Sequence, residues 1–136
     1  MARVLVIDDQ NDVRAVICMV LQVNGFDVVE AATATAGHKA FEEGRFDVVI
    51  VDLLLEDAMG LDVIAKLRER VPGLPVVAVS GLPSLNLDVQ KSKLSDVVCL
   101  RKPFRPNELL GAIGAARGTA PQGPGAGADP LGQFAV

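Results

Sequence analysis

The sequence predicts an α/β fold in which a parallel β-sheet is covered by helices on both faces, and two observations predict it. First, five short runs of mostly β-branched residues recur along the chain, each too short to form a buried helix. Second, polar, amphipathic stretches separate these runs, so that strand and helix signals alternate. We therefore expect five strands, at residues 4–7, 26–29, 48–51, 76–79 and 97–100.

The stretches between and after these runs predict five helices. Apolar residues at helical spacing over 13–21 predict the first, which the turn at 24–25 ends. The second is expected to begin at a threonine cap, either Thr33 or Thr35. The third helix is expected to end before the proline and glycine at 72–73. The pattern of the fourth helix is less regular. The fifth helix is expected to begin at a proline, which suits a first helical turn. The second to fifth helices are expected at 34–43, 61–70, 85–94 and from 106 to about 113.

Composition and charge restrict the function. The 136 residues fit one domain, and an apolar fraction of 50% with 22% charged residues is typical of a globular protein. No uncharged stretch approaches the roughly 20 apolar residues that span a bilayer, and no signal peptide is recognisable, so we expect a cytoplasmic protein without a membrane partner. The net charge of -4 comes without a Lys/Arg cluster, which argues against nucleic-acid binding and favours a protein partner.

The chain divides into a folded domain and a tail. All strand and helix signals lie within residues 1–117, whereas 118–136 is rich in Gly, Pro and Ala and offers little to bury. We expect this tail to be flexible. The two cysteines, Cys18 and Cys99, lie in apolar stretches without metal-ligand or redox spacing, and both are expected to be buried free thiols.

Polar residues follow four of the five predicted strands. Asp8 and Asp9 follow the first strand, Asp52 the third, Ser80 the fourth, and Lys102 the fifth after one intervening residue. In an open parallel sheet, ligands bind outside the carboxyl ends of the strands. These five side chains are therefore expected to converge on one pocket if their strands are neighbours.

Four of these five residues also have an ordinary structural explanation. Asp8 and Asp9 would suit the cap and first turn of a helix, Ser80 a tight turn, and Lys102 a solvated charge. Together they favour a site, because three carboxylates repel one another unless a cation binds or their pKa values rise. Oxygen ligands without histidine or cysteine suit Mg²⁺ or Mn²⁺, with Mg²⁺ as the first expectation. Mg²⁺ in turn implies a phosphorylated ligand or side chain, and an aspartate can be the nucleophile toward phosphorus.

Several short motifs occur together within residues 2–117. They are Val-Leu-Val-Ile-Asp-Asp at 4–9, Val-Val-Ile-Val-Asp at 48–52, Gly60, Ser80-Gly81 and Lys102-Pro103-Phe104. In these motifs the chain resembles the receiver domains of two-component response regulators. The resemblance implies a flavodoxin-like, doubly wound sheet with strand order 2-1-3-4-5.

The resemblance also implies roles for the acidic residues. Asp52 is expected to be the phosphoacceptor. Asp9, Asp52 and the backbone carbonyl of Leu54 are expected to bind Mg²⁺ directly, with Asp8 acting through water or as a weaker ligand. On this interpretation the chain is a regulatory domain rather than an enzyme, since it catalyses only its own phosphorylation and dephosphorylation.

The remaining implied roles concern the phosphoryl group and its source. Ser80 is expected to move to a phosphoryl oxygen, Lys102 to pair with it, and the peptide bond before Pro103 to be cis. The donor is expected to be a histidine kinase or a histidine phosphotransfer protein. Phosphorylation is expected to change binding to a downstream protein target, with homodimerisation as an open alternative.

The chain departs from the family pattern at four positions. Cys99 stands where the family has its aromatic switch residue, so we expect the signal to travel through the loop and helix that follow Ser80. Glu56 stands where a proline is common, which predicts a less rigid loop. Leu54 and Leu82 are apolar at positions that in relatives influence how water reaches the phosphate, so a slow loss of the phosphoryl group is expected.

Two other functions compete with this one. A phosphate-independent interaction module would explain the departures at Cys99, Glu56 and Leu54, but all five strand-end residues are retained. A phosphatase or cofactor enzyme on a similar sheet would need a D-x-D motif or a glycine-rich phosphate loop after the first strand. The chain instead has Asp8-Asp9-Gln10 there, which is not D-x-D, and Asp8, Asp9 and Asp12 would repel a phosphate group.

Overall fold

The computed structural model describes residues 2–82 and 96–118. Its five strands form one parallel sheet in the order β2-β1-β3-β4-β5, which confirms the predicted flavodoxin-like topology. The strands are β1 (Arg3–Ile7), β2 (Asp27–Ala31), β3 (Val48–Asp52), β4 (Val76–Ser80) and β5 (Val98–Arg101).

The predicted bounds of the second strand are wrong by up to two residues. The apolar run stops before Glu30, but β2 continues to Ala31, which pairs with Ile7 of β1. Because β2 is an edge strand of the sheet, Glu30 points to solvent there without a burial cost. Ladder hydrogen bonds rather than hydropathy therefore set the end of this strand.

Four helices lie in the described residues, and all four begin within two residues of the predicted start. The second predicted helix is found unchanged, and Thr33 is its cap, since its hydroxyl accepts a hydrogen bond from the Ala36 N–H at 3.0 Å. The predicted helix at 85–94 and the tail beyond residue 118 lie outside the described residues. The helices are α1 (Asn11–Val23), α2 (Ala34–Glu43), α3 (Gly60–Arg70) and α4 (Pro106–Ala116).

The sheet separates two apolar cores. Successive residues of a strand face opposite sides, so Leu5 packs on one face and Val6 on the other. The first core contains residues of α2 and α3, and the second contains residues of α1 and α4. With both faces covered, the carboxyl edge of the sheet is the place where its central strands can present polar residues.

The two cysteines differ in their environment. Cys18 is a buried free thiol, as predicted, and burial raises its pKa to about 12. The prediction for Cys99 is wrong, because this free thiol is only partly buried. It lies on β5, an edge strand that has a neighbouring strand on one side only.

Across the described residues, no helix combines the length and apolar character that crossing a bilayer requires.

Candidate functional site

Three carboxylates meet at the carboxyl edge of the sheet. Asp8, Asp9 and Asp52 each offer an oxygen, and these oxygens lie within 4.8 Å of one another. The sheet register explains this, because Ile7 at the end of β1 pairs with Val51 near the end of β3. Asp8 and Asp52 are only 2% and 6% exposed, whereas Asp9 is partly exposed. The structure thus brings together the acidic residues that the sequence placed at the strand ends.

Lys102 reaches into this cluster. Its Nζ lies 3.0 Å from Asp52 Oδ2 and 3.3 Å from Asp8 Oδ2, and it also donates to Gln10 Oε1 at 2.7 Å. The backbone N–H of Lys102 donates to the Ser80 carbonyl at 2.8 Å, and the peptide bond to Pro103 is cis, as the resemblance implied. The alternative of an ordinary solvated charge is therefore wrong for Lys102.

The charge balance of the cluster favours a bound cation. Burial raises the pKa of Asp8 above its ordinary value, and the nearby charge of Asp52 adds to this effect. The Gln10 N–H and the Lys102 ammonium act in the opposite direction. One ammonium faces three carboxylates, so the cluster keeps an excess of negative charge. Its oxygen donors fit a hard divalent cation.

Asp8 does not cap α1. The capping position is Gln10, whose side chain makes no capping hydrogen bond. Asp8 Oδ1 instead accepts from the Gln10 N–H at 2.9 Å, and Arg14 Nη1 donates to the Asp8 carbonyl at 2.6 Å. These bonds fix the turn between β1 and α1, and they leave Asp8 Oδ2 directed at Lys102.

The segment after Asp52, residues 53–59, folds back on itself, and we call it the acceptor loop. The Leu54 N–H donates to Asp52 Oδ1 at 3.0 Å, Leu54 forms a bridge with Met59, and the Gly60 N–H returns to the Leu53 carbonyl at 2.8 Å. A methyl group at Gly60 would collide with the Asp52 carbonyl oxygen and lie 2.5 Å from the Leu53 Cα. Glycine is therefore required for this close approach.

Ser80 is buried, and within the described residues its side-chain hydroxyl binds locally. Its hydroxyl donates to the Leu82 carbonyl at 3.0 Å and accepts from the Leu82 N–H at 2.9 Å. The alternative of a turn residue thus describes its hydrogen bonds in this structure. The Leu82 side chain is 50% exposed beside it, and the Leu54 side chain is 51% exposed on the acceptor loop.

Three residues of the site were missed by sequence reasoning. Gln10 binds Lys102, Arg14 binds the carbonyl of Asp8, and Asp57 of the acceptor loop binds the start of α2. Gln10 follows the acidic pair directly, and this position was the only signal that could have found it. The contacts of Arg14 and Asp57 depend on loop paths that no short sequence pattern encodes.

Comparison with known proteins identifies the family. A family model described as the response regulator receiver domain matches residues 4–114. A probable transcriptional regulatory protein of Mycobacterium tuberculosis, TcrX, is 31% identical over 107 residues, which cover 79% of this chain and 46% of that protein. A putative NtrX-like response regulator of Rickettsia bellii is 30% identical, with 79% of this chain and 23% of that protein covered.

Solved structures agree with this assignment. A receiver domain protein from Clostridium thermocellum has a TM-score of 0.79 and 29% identity, covering 87% of this chain and 95% of that one. A CheY-like receiver domain protein from Methanospirillum hungatei has a TM-score of 0.77 and 28% identity, with coverage of 83% and 90%. The chain spans about half or less of the length of the two regulators compared above, so it corresponds to one domain of each. The chain therefore belongs to the family of response regulator receiver domains, the phosphoacceptor switches of two-component systems.

Proposed function

We propose that Asp52 accepts a phosphoryl group from the phosphohistidine of a histidine kinase or a histidine phosphotransfer protein, in a Mg²⁺-dependent reaction. One observation carries the proposal: Asp52 is a buried carboxylate at the end of a central strand, 3.0 Å from the Lys102 ammonium and with oxygens of two further carboxylates within 4.8 Å. This arrangement gathers an oxygen nucleophile, a cation for the phosphoryl oxygens and ligands for a metal at one point.

The transfer step follows from this geometry. A carboxylate oxygen of Asp52 forms the new bond to phosphorus, and the bond from phosphorus to the donor histidine nitrogen breaks. The electron pair of that bond stays on the imidazole, and Asp52 becomes an acyl phosphate. Lys102, already at Asp52 Oδ2, is placed to pair with the oxygens of the arriving phosphoryl group. The phosphoryl group is lost by hydrolysis. Water attacks phosphorus, the bond between phosphorus and the Asp52 oxygen breaks, and inorganic phosphate and the Asp52 carboxylate are released.

The residues that would hold Mg²⁺ are those the resemblance implied. Asp9, Asp52 and the backbone carbonyl of Leu54 are the direct ligands in this proposal, and Asp8 takes part through water or as a weaker ligand. The three carboxylates already share one space, and their donors are all oxygens. Mn²⁺ would fit the same donors. When bound, the ion neutralises charge on the transferring phosphoryl group.

Ser80 is proposed to convert phosphorylation into a change of surface. Its hydroxyl would exchange both bonds to Leu82 for one to a phosphoryl oxygen, which would rearrange the turn at Ser80–Leu82. A downstream protein partner would bind the rearranged surface. We propose no catalytic activity on other substrates and no binding of nucleic acid by this domain, and self-association of the phosphorylated form is the alternative outcome.

The test is the intact mass of the full chain after incubation with Mg²⁺ and acetyl phosphate. Wild type is expected to gain one phosphoryl group, and removal of Mg²⁺ by chelation is expected to prevent the gain. Asp52→Asn is expected to gain none, whereas the matched control Asp62→Asn, an aspartate in the first turn of α3, is expected to behave as wild type. Equal gain in Asp52→Asn would contradict the assignment of the acceptor. No gain and no Mg²⁺ binding in wild type would instead favour the phosphate-independent interaction module.

A further inference from the structure

Asp57 connects the acceptor loop to a helix that is distant in sequence. One carboxylate oxygen, Oδ1, accepts from the Ala34 N–H at 2.9 Å. The other, Oδ2, accepts from both the N–H and the hydroxyl of Thr35, each at 3.1 Å. Three donors from the first turn of α2 thus bind one side chain of the loop that follows Asp52.

These bonds complete the start of α2. The first N–H groups of a helix have no partner within the helix. In α2 the Ala36 N–H is bound by Thr33, and those of Ala34 and Thr35 are bound by Asp57. The same bonds hold the pKa of Asp57 below its ordinary value, so its carboxylate stays charged well below neutral pH. We call these three charge-assisted hydrogen bonds from Ala34 and Thr35 to Asp57 the clasp, and they are stronger than hydrogen bonds between neutral groups.

The position of Asp57 gives this clasp a consequence for the site. Leu54 and Met59 pair across the acceptor loop, and Asp57 lies between them in the chain, at the tip of the loop. The loop is pinned at its base by Gly60 and at its tip by α2. This chain has Glu56 at the loop position where the resemblance implies a proline, and a proline would stiffen the loop by fixing one backbone angle.

We propose that Asp57 is a positioning residue that holds the acceptor loop in its metal-binding conformation and supplies rigidity that a proline at position 56 would otherwise give. Binding to the first turn of α2 fixes the path of residues 53–59, and with it the orientation of the Leu54 carbonyl. The statement about the metal rests on the proposed function, whereas the statement about loop rigidity does not.

The experiment compares Asp57→Ala with Glu56→Gln, which removes one exposed acidic charge from the neighbouring position of the same loop. Amide hydrogen exchange of the metal-free full chain reports on the loop, at the Leu55 and Gly60 N–H groups that close it. Calorimetric titration with MgCl₂ alone reports on the site. Asp57→Ala is expected to speed exchange at both amides and to weaken Mg²⁺ binding by about tenfold, as removal of a group that supports a metal ligand commonly does. Glu56→Gln is expected to leave both as in wild type.

Two further variants separate positioning from general stability. Thr35→Val removes one donor to Asp57 from the side of α2 and is expected to act in the same direction with a smaller effect. Adding Glu56→Pro to Asp57→Ala is expected to restore much of the Mg²⁺ affinity, because proline replaces the lost constraint. Exchange at strand amides such as Leu5 is expected to stay slow throughout.

Wild-type exchange and wild-type Mg²⁺ affinity in Asp57→Ala would overturn the proposal, and so would faster exchange across all strands. A third outcome separates the two proposals. If wild type binds no Mg²⁺ but Asp57→Ala still speeds exchange in the loop, the role of Asp57 in the loop is supported and the proposed function is overturned.

Discussion

The carboxyl edge of the sheet is organised differently on its two sides. At the ends of β1 and β3, side chains bind across elements: Asp8 and Asp52 are met by Lys102, which reaches over from the end of β5, and Asp57 binds the start of α2. At the ends of β4 and β5, the Ser80 hydroxyl binds its own neighbour Leu82, and the half-buried Cys99 lies where the resemblance implies an aromatic switch residue.

This difference separates the capture of phosphate from the readout of that capture. The carboxylates and Lys102 already lie together without phosphate, so the proposed reaction of Asp52 needs little rearrangement. In the proposed function, Ser80 exchanges its hydrogen bonds to Leu82 for one to the phosphoryl group, and Cys99 has no ring that could move inward. We infer that capture follows the family pattern and that the readout is this chain's own.

The largest effect is expected from Lys102→Ala, which removes the only ammonium found in contact with the described carboxylates of the site. The rate of phosphoryl gain from acetyl phosphate should fall by about a hundredfold or more, the usual loss when a charge-stabilising group is removed. Lys66→Ala on the exposed face of α3 is the matched control and should react as wild type. A Lys102→Ala protein that reacts at the wild-type rate would show that the capture of phosphate is not organised by this ion pair.

The next effect is expected from Gly60→Ala, because its methyl group would meet the backbone at Asp52 and Leu53. Urea unfolding should give a loss of about 1–3 kcal/mol, as overpacking usually does. In Gly111→Ala the added methyl group meets no atom within 4 Å, so this variant should be neutral or more stable by about 0.5–1 kcal/mol. Equal stability of the two variants would contradict the tight packing of the acceptor loop.

A smaller effect is expected from the two exposed leucines that flank the acceptor. Leu54→Asn and Leu82→Glu each introduce a group that can orient water, so the phosphorylated state should decay about tenfold faster, less than a true general base achieves. The loss of the phosphoryl mass over time measures this. Leu61→Asn is the control, since it adds an amide on α3. If neither flanking substitution shortens the lifetime, the two positions do not control the access of water.

The smallest effect is expected from Asp8→Asn in the absence of metal. Burial raises the pKa of Asp8 in the folded state above 3.8, so folding favours the protonated form of this carboxyl group. The protonated group is tolerated at low pH, and stability is lost as the pH rises through the folded-state pKa and a buried charge forms. Asp8→Asn should therefore raise the free energy of unfolding near pH 7, by on the order of 1 kcal/mol. This advantage should vanish toward about pH 4. Excess Mg²⁺ should reverse the order of the two proteins, and an Asn variant that is less stable without metal would contradict the charge balance.

Most of the fold could be predicted from local signals. The bounds of α2 follow from a threonine cap and a terminal glycine, and the acidic pocket follows from the residues that stand after each apolar run. The end of β2 could not be predicted, since pairing with β1 carries Glu30 into the strand against its hydropathy.

The missed part of the site depends on contacts between distant residues. Asp57 and Ala34 are 23 positions apart, and Gln10 and Lys102 are 92 apart. Nothing in either local sequence specifies its partner, because the meeting is created by the parallel topology. The partial exposure of Cys99 likewise follows from its place on an edge strand, which its apolar sequence neighbours do not reveal.

The central claim is that Asp52 accepts phosphate as in the family, whereas the resulting change of surface does not pass through Cys99. The most direct test is a map of backbone amide chemical shifts, recorded for the full chain with Mg²⁺ before and after phosphorylation. We predict large changes at Asp52, at Leu82, whose N–H now binds Ser80, and in the segment 85–94, with the same pattern in Cys99→Ala. Unchanged shifts at Leu82 and in 85–94, or loss of their changes in Cys99→Ala, would contradict this prediction.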